Sequence, residues 1–213
     1  MSKLKKLIIA CDGESASGKS TAAKLVSKKY KLLLINSGLL YRYCSKLSIQ
    51  HKPKSIIPFL KKKFKTISYK AIAKQKLHSE EISIHVATLA KNKKVREIIN
   101  QFQMKIIRGN NRICVEGRDI ASKILVKNPK YDVAFYFKCS LNIAAHRRWL
   151  DLKKSVSLKE VEKSLKMRTH LDKKRKNSPL IKVKDAILVR SDKLNKKEVL
   201  AKMSKAVDKI PIN

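Results

Sequence analysis

One motif constrains the fold of this chain more than any other feature of its sequence. Segment 13–20, GESASGKS, matches the pattern GxxxxGK[ST] and stands between the apolar run Leu7 to Cys11 and the helix-favouring stretch Thr21 to Lys28. A glycine-containing turn between a buried strand and a helix lets backbone N–H groups surround phosphate oxygens, and the helix N-terminus adds partial positive charge. The motif therefore predicts that the chain binds a nucleoside triphosphate.

The residue types within this phosphate loop predict the role of its members. We expect Lys19 to reach the β- and γ-phosphates of ATP, and the Ser20 hydroxyl to ligate the Mg²⁺ ion that accompanies them. Mg²⁺ is the cofactor we expect, with ATP as the phosphoryl donor. The predicted ATP-binding residues are Gly13, Glu14, Ser15, Ala16, Ser17, Gly18, Lys19, Ser20 and Thr21.

Short apolar runs recur along the chain, and helical stretches separate most of them. The runs are continuous rather than alternating, which is typical of strands covered on both faces. This pattern predicts an α/β fold with a doubly wound, parallel five-stranded sheet and flanking helices. The predicted strands are Leu7 to Cys11, Leu32 to Ile35, Ile113 to Val115, Val133 to Phe137 and Ala186 to Val189.

The length of 213 residues fits a single domain, residues 1–213, with a core that carries two additions. Prolines and a lysine run interrupt the α/β rhythm at about 48–78, where we expect a small insert. Basic stretches on either side of a helical segment predict a lid at about 151–178. Two helix starts carry capping-box residues, Ser157 with Glu160 in the lid and Asn195 with Glu198 at the C-terminal helix.

The cysteines point to a reducing compartment. Cys11, Cys44, Cys114 and Cys139 form no CxxC pair and no spacing typical of metal ligands, so disulfides and zinc are both disfavoured. The histidines are scattered as well. No apolar run is long enough to span a membrane. We therefore expect a cytoplasmic protein without a membrane partner.

The charge balance is strongly basic. Lys plus Arg is 52 against 16 for Asp plus Glu, a formal net charge of +36. Such an excess indicates nucleic acid, an anionic membrane surface or phosphorylated ligands as partners. Aromatic residues make up only 6% of the chain, and the lysines occur in almost every helical segment. This distribution favours solvated lysine faces over a specific nucleic-acid surface, with non-specific polyanion binding at low salt.

Further motifs follow the phosphate loop in order along the chain. Segment 36–42, NSGLLYR, comes after the second predicted strand, and Glu116-Gly117-Arg118-Asp119 comes after the third. Later matches are Val95-Arg96-Glu97, Ala145 to Arg148, Arg168, Asp172 and Arg175. As a set, these residues resemble the bacterial cytidylate kinases, within the P-loop nucleoside monophosphate kinase superfamily. The resemblance extends over nearly the whole chain.

The resemblance implies an activity and a set of site residues. It implies ATP-dependent phosphorylation of CMP and dCMP to CDP and dCDP, in pyrimidine nucleotide metabolism, by a monomeric enzyme. The implied catalytic residues are Lys19, Arg118, Arg168 and Arg175. The implied CMP-binding residues are Ser37, Arg42 and Arg118 for the 5′-phosphate, Arg96 and Asp119 for cytosine, Arg168 and Asp172 for the pentose, and Arg175 for the bridged phosphates.

Several positions depart from the family pattern. Glu14 stands where the phosphate loop usually has proline, so its carboxylate has to point outward or contact a cation. Asn36 replaces an aspartate, which removes a charge and keeps an acceptor. Ala87 aligns with a serine that contacts the base, and Leu171 with a lid arginine. The insert is also shorter than in the family.

Two alternatives remain open at the level of sequence. One is a broader kinase that also accepts UMP, or another small-acceptor P-loop kinase such as an AMP kinase. The other is a nucleic-acid-binding P-loop ATPase, for which the sequence offers no helicase-like second motif. Turnover with a panel of nucleoside monophosphates would distinguish the first alternative from a CMP and dCMP kinase. ATP hydrolysis stimulated by a polynucleotide would indicate the second.

Overall fold

The predicted strands lie side by side in one five-stranded sheet of the computed structural model, which describes residues 5–211. The strands are β1 (Leu7–Gly13), β2 (Leu33–Asn36), β3 (Arg112–Glu116), β4 (Val133–Lys138) and β5 (Ile187–Arg190). Their order is β2-β3-β1-β4-β5, and β1 pairs in parallel with both β3 and β4. The α/β prediction is confirmed. β1 runs to Gly13 because its pairing with β4 continues to Phe137.

The chain forms two compact units. Among the described residues, the first comprises 5–35 and 110–211, and the second is Asn36–Gly109. The helices are α1 (Lys19–Lys29), α2 (Ser37–His51), α3 (Ile56–Thr66), α4 (Tyr69–Ala73), α5 (Glu80–Leu89), α6 (Lys93–Arg108), α7 (Leu141–Asp151), α8 (Leu158–Lys174) and α9 (Lys196–Val207). The predicted lid segment contains α8. The single-domain assignment to 1–213 stays a prediction.

The central strands β1, β3 and β4 of the sheet are buried on both faces. Ile9 on one face of β1 packs with Val26 of α1 and Met203 of α9 in a single apolar cluster. Successive strand residues point to opposite faces, so Ile8 and Ala10 lie on the other face, and both are buried. This two-sided burial explains why the strands read as continuous apolar runs rather than alternating ones.

The second unit is helical. Its core includes Leu40 of α2, Leu60 of α3 and Ile99 of α6, all fully buried. Phe64 of α3 makes edge-to-face contacts with the rings of Tyr43 and Phe102. The predicted insert at about 48–78 lies within this unit, which extends beyond it on both sides.

Cys11, Cys44, Cys114 and Cys139 are all buried and free. Within residues 5–211, the structure contains no helix that is both long enough and apolar enough to cross a bilayer.

Candidate active site

The phosphate loop connects β1 to α1 and is pressed against β4. A Cβ atom at Gly13 would lie 2.4 Å from the carbonyl oxygen of Phe137, so only glycine fits where β4 passes. Gly18 precedes α1 with φ 74°, a left-handed conformation that glycine adopts without steric cost. The backbone N–H of Glu14 donates to the Phe137 carbonyl at 3.1 Å, and the Ser17 hydroxyl donates to the Glu14 carbonyl at 2.8 Å. Contacts with β4 and a hydrogen bond within the loop therefore fix its conformation.

A glutamate at the end of β3 holds the two functional side chains of the loop. Lys19 Nζ lies 3.0 Å from Glu116 Oε2, and the Ser20 hydroxyl donates to the same oxygen at 2.7 Å. The Glu116 side chain is 1% exposed, and its Oε1 atom has no hydrogen-bond partner. Sequence reasoning placed Glu116 in a motif but not in the site. The available signal was its position at the carboxyl end of a parallel strand, where ligand-binding residues of α/β sheets gather.

Asp12 is a second carboxylate that sequence reasoning missed. It is 3% exposed, and its two oxygens accept the backbone N–H groups of Ile120 at 2.9 Å and Ala121 at 2.8 Å. Burial raises the pKa of the Asp12 carboxyl to about 6, although these two hydrogen bonds act in the opposite direction. Asp12 thus fixes the π-helical turn Ile120–Ile124, which directly follows Arg118 and Asp119.

Arg118 joins the phosphate loop to α8. Its Nε atom donates to Asp172 Oδ2 at 2.9 Å, and its Nη2 atom donates to the Ser15 hydroxyl at 3.2 Å. Both Arg118 and Asp172 are largely buried. The structure therefore brings together residues that the sequence predicted for the phosphate loop, the acceptor site and the lid.

Arg175 completes this cluster at the end of α8. Its Nη1 atom lies 3.3 Å from Asp172 Oδ1, and its Nη2 atom lies 3.7 Å from Asp119 Oδ1. Its Nε atom donates to the carbonyl of Ser178. Arg168 is partly buried one helical turn before Asp172 on α8, a spacing that places both side chains on one helix face. Arg118, Asp119, Asp172 and Arg175 thus form one charged network.

Helix α8 and the segment after β5 make two further contacts with the loop. Lys173 Nζ lies 2.7 Å from Glu14 Oε1, so the unusual carboxylate of the loop does contact a cation. The Ser191 hydroxyl, just after β5, donates to the carbonyl of Ser17 at 2.8 Å. Arg147 Nη2 of α7 donates to the Ser191 carbonyl at 2.9 Å. Nothing in the local sequence pattern indicated Lys173 or Ser191.

The remaining predicted residues lie in the second unit. The Ser37 hydroxyl donates to Gln103 Oε1 at 2.7 Å. Arg42 Nη1 donates to the carbonyl of Leu77 at 3.0 Å. Arg96 is buried, with its guanidinium carbon 5.5 Å from the centre of the Tyr41 ring. Backbone and aromatic contacts therefore hold Arg42 and Arg96, the two predicted site arginines of this unit.

Asn36, the residue that departs from the family aspartate, caps α2. Its side-chain oxygen accepts the backbone N–H of Leu39 at 3.3 Å. Asparagine and aspartate serve equally well at this helix position, because each offers an acceptor to the first turn. The replacement therefore preserves the local structure that presents Ser37 and Arg42.

The sequence of this chain is similar to known proteins. The sequence profile of a family described as Cytidylate kinase matches residues 9–209. A protein of Alkaliphilus oremlandii named Cytidylate kinase is 31% identical over 211 residues, covering 92% of this chain and 94% of that protein. A Bifunctional pantoate ligase/cytidylate kinase of Prochlorococcus marinus is 32% identical over 219 residues, covering 93% of this chain but 42% of that protein. The chain therefore spans less than half of this longer relative.

A solved structure supports the likeness of fold. The shikimate kinase of Bacteroides thetaiotaomicron matches with a TM-score of 0.51 at 7% sequence identity, covering 95% of this chain and 98% of that one. At so low an identity, the match extends to the arrangement of strands and helices alone.

Proposed function

Because the chain belongs to the cytidylate kinase family, we propose that it transfers the γ-phosphoryl group of ATP to CMP and dCMP, giving ADP with CDP or dCDP. The observation that carries the proposal is the contact of Arg118 with both the phosphate loop, at Ser15, and the α8 residue Asp172. A guanidinium in that position can exchange these partners for phosphate oxygens of donor and acceptor.

Neutralisation of the negative charge on the phosphates is the main catalytic effect that we propose. Phosphoryl transfer proceeds through a loose transition state that needs positioning and positive charge rather than a general base. Lys19 carries that charge in the phosphate loop, and Arg118 and Arg175 carry it beside the loop. Arginine suits the role because its planar fork binds two phosphate oxygens at once. Asp172 binds both guanidinium groups.

The residues around Ser20 fit a magnesium ion. The Ser20 hydroxyl and the unpartnered Oε1 atom of buried Glu116 are oxygen ligands, the type that Mg²⁺ prefers. We propose that Ser20 holds the ion together with the ATP phosphates, and that Glu116 supports it. Bound Mg²⁺ would neutralise charge on the β- and γ-phosphate oxygens.

Selectivity for the acceptor remains a proposal from the family resemblance. Asp119 is assigned to the exocyclic amine of cytosine, together with Arg96. Uracil carries a carbonyl oxygen there, so a carboxylate would face another acceptor and UMP would bind less well. Ser37 and Arg42 are assigned to the acceptor phosphate, and Arg168 to the pentose. A monomeric cytoplasmic enzyme is the form we propose.

The proposal predicts ADP formation that depends on a pyrimidine acceptor. With ATP and Mg²⁺, CMP and dCMP should turn over at least about tenfold faster than UMP or AMP, since one mismatched polar contact costs on the order of a tenfold rate difference or more. A coupled assay for ADP, with chromatography of the diphosphate product, measures this. The Asp119→Asn variant should reduce the difference in turnover rate between CMP and UMP.

Two variants control that assay. Lys19→Ala should lose most turnover, which excludes a contaminating kinase, whereas Lys24→Ala, an exposed lysine of the same helix, should keep it. Equal rates with UMP would replace the proposal by a broader pyrimidine kinase. ADP formation that depends on polynucleotide instead of a monophosphate would favour the nucleic-acid-binding ATPase.

A further inference from the structure

The phosphate loop of this chain contains a carboxylate of its own. The Glu14 side chain follows Gly13 and is only 12% exposed. A phosphate loop is a concave set of backbone N–H groups that binds anions. A carboxylate attached to such a loop is a tethered anion, and it can compete with a triphosphate for the same donors. ATP binding therefore requires a contact that keeps the Glu14 carboxylate away from the N–H groups of the loop.

Lys173 makes such a contact. Its Nζ atom lies 2.7 Å from Glu14 Oε1, across 159 positions of sequence. Lys173 lies in the last turn of α8, beside Asp172, which binds Arg118 and Arg175. The ion pair therefore directs the carboxylate of the loop toward the helix that carries the charged network.

Burial makes this ion pair more consequential than an ordinary surface pair. The Lys173 side chain is 46% exposed, but its partner Glu14 is 12% exposed. Exposed pairs contribute little because water solvates either partner after the other is removed. A largely buried carboxylate has less water available, so removal of its cation leaves a charge that must find other donors. The loop that carries Glu14 offers such donors in its own N–H groups.

We propose that Lys173 determines the affinity of this chain for ATP by binding Glu14 and holding its carboxylate out of the phosphate loop. Lys173 is thus a positioning residue that acts through Glu14. This inference rests on the proposed function, because it takes ATP as the ligand of the loop.

A double-mutant cycle tests the inference. ATP affinity is measured by titration calorimetry for the wild type, Lys173→Met, Glu14→Gln and the double variant. We expect Lys173→Met to weaken ATP binding about tenfold, a change of about 1.4 kcal/mol, because Glu14 then competes for the loop. In the Glu14→Gln background, the same substitution should change affinity by less than about twofold, because a neutral amide does not compete as an anion does.

The neighbouring lysine provides the matched control. Lys174→Met removes the same charge from the same turn of α8, at an exposed position, and should change ATP affinity by less than about twofold. An equal effect of Lys173→Met and Lys174→Met would overturn the inference in favour of general electrostatic attraction. An equal effect of Lys173→Met with and without Glu14 would overturn it in favour of direct contact between Lys173 and ATP. No effect of Lys173→Met would also overturn it.

The cycle separates this inference from the proposed function. If wild-type protein phosphorylates CMP but the cycle shows no coupling, the role of Lys173 fails and the activity stands. If wild-type protein binds ATP with the expected coupling but transfers nothing to CMP, the activity fails and the role of Lys173 stands.

Discussion

Most of the charged groups in this site are largely buried, and two of its cations bind carboxylates from distant parts of the chain. Lys19 reaches Glu116 of β3, and Arg118 reaches Asp172 of α8. Removing one member of such a pair leaves a buried charge without compensation, which costs more than the pair itself contributes. Phosphate oxygens of a bound nucleotide can replace carboxylate oxygens around the same cations.

The buried carboxyl of Asp12 should make the free energy of unfolding depend on pH. Its pKa is raised from 3.8 to about 6 in the folded protein, so the folded state binds this proton more tightly than the unfolded state. The stabilising contribution of Asp12 is then present below about pH 4 and is lost as the pH rises through about 6. Between about pH 4.5 and about pH 7.5, wild type should lose on the order of 2 kcal/mol of unfolding free energy relative to Asp12→Asn.

Urea unfolding of both proteins at the two pH values measures this difference. Comparison with Asp12→Asn cancels the other carboxylates, which titrate in both proteins. A difference in unfolding free energy that stays constant with pH would show that Asp12 titrates normally.

At the scale of elements, the same capping device serves two helices with different surroundings. Capping boxes are present at Ser157 with Glu160 and at Asn195 with Glu198, as the sequence predicted. Helix α9 packs on the sheet and α1 through the main apolar cluster. Helix α8 packs on α7 through a separate and smaller cluster. Loss of the cap should therefore have different consequences in the two helices.

We expect Asn195→Ala to lower the free energy of global unfolding by about 1 kcal/mol, the usual cost of a lost N-cap. Ser157→Ala should affect global unfolding less and instead speed amide hydrogen exchange in the first turns of α8, because this helix can open locally. Chemical denaturation and hydrogen-exchange mass spectrometry distinguish the two. Equal losses of global stability would mean that α8 unfolds only with the sheet.

The whole molecule carries a net charge of +36 that the site accounts for only in small part. At low salt we expect binding to any polyanion, with a strong dependence on salt because binding releases counterions. Fluorescence anisotropy of a labelled RNA should show affinity that falls at least about tenfold between about 50 mM and about 200 mM salt. Addition of this RNA should leave ATP hydrolysis unchanged. A saturable complex that persists in high salt would instead indicate a specific nucleic-acid surface.

The sequence by itself determined the local features of this protein. A GxxxxGK[ST] segment after an apolar run fixes a strand, a loop and a helix within about twenty residues, and capping residues fix helix starts within one turn. The strands were predicted for the same reason, since burial on both faces leaves a continuous apolar run. Cytidylate kinase family membership was likewise readable, because motifs keep their order along the chain.

Only the tertiary structure decided which side chains meet. Glu116 lies 97 positions from Lys19, Asp12 lies 108 positions from Ile120, and Lys173 lies 159 positions from Glu14. These partnerships follow from the strand order, which sets β1 between β3 and β4, and from the packing of α8. No local pattern encodes them, because hydrophobic burial arranges the elements, and the polar partners of the site are brought together by that arrangement.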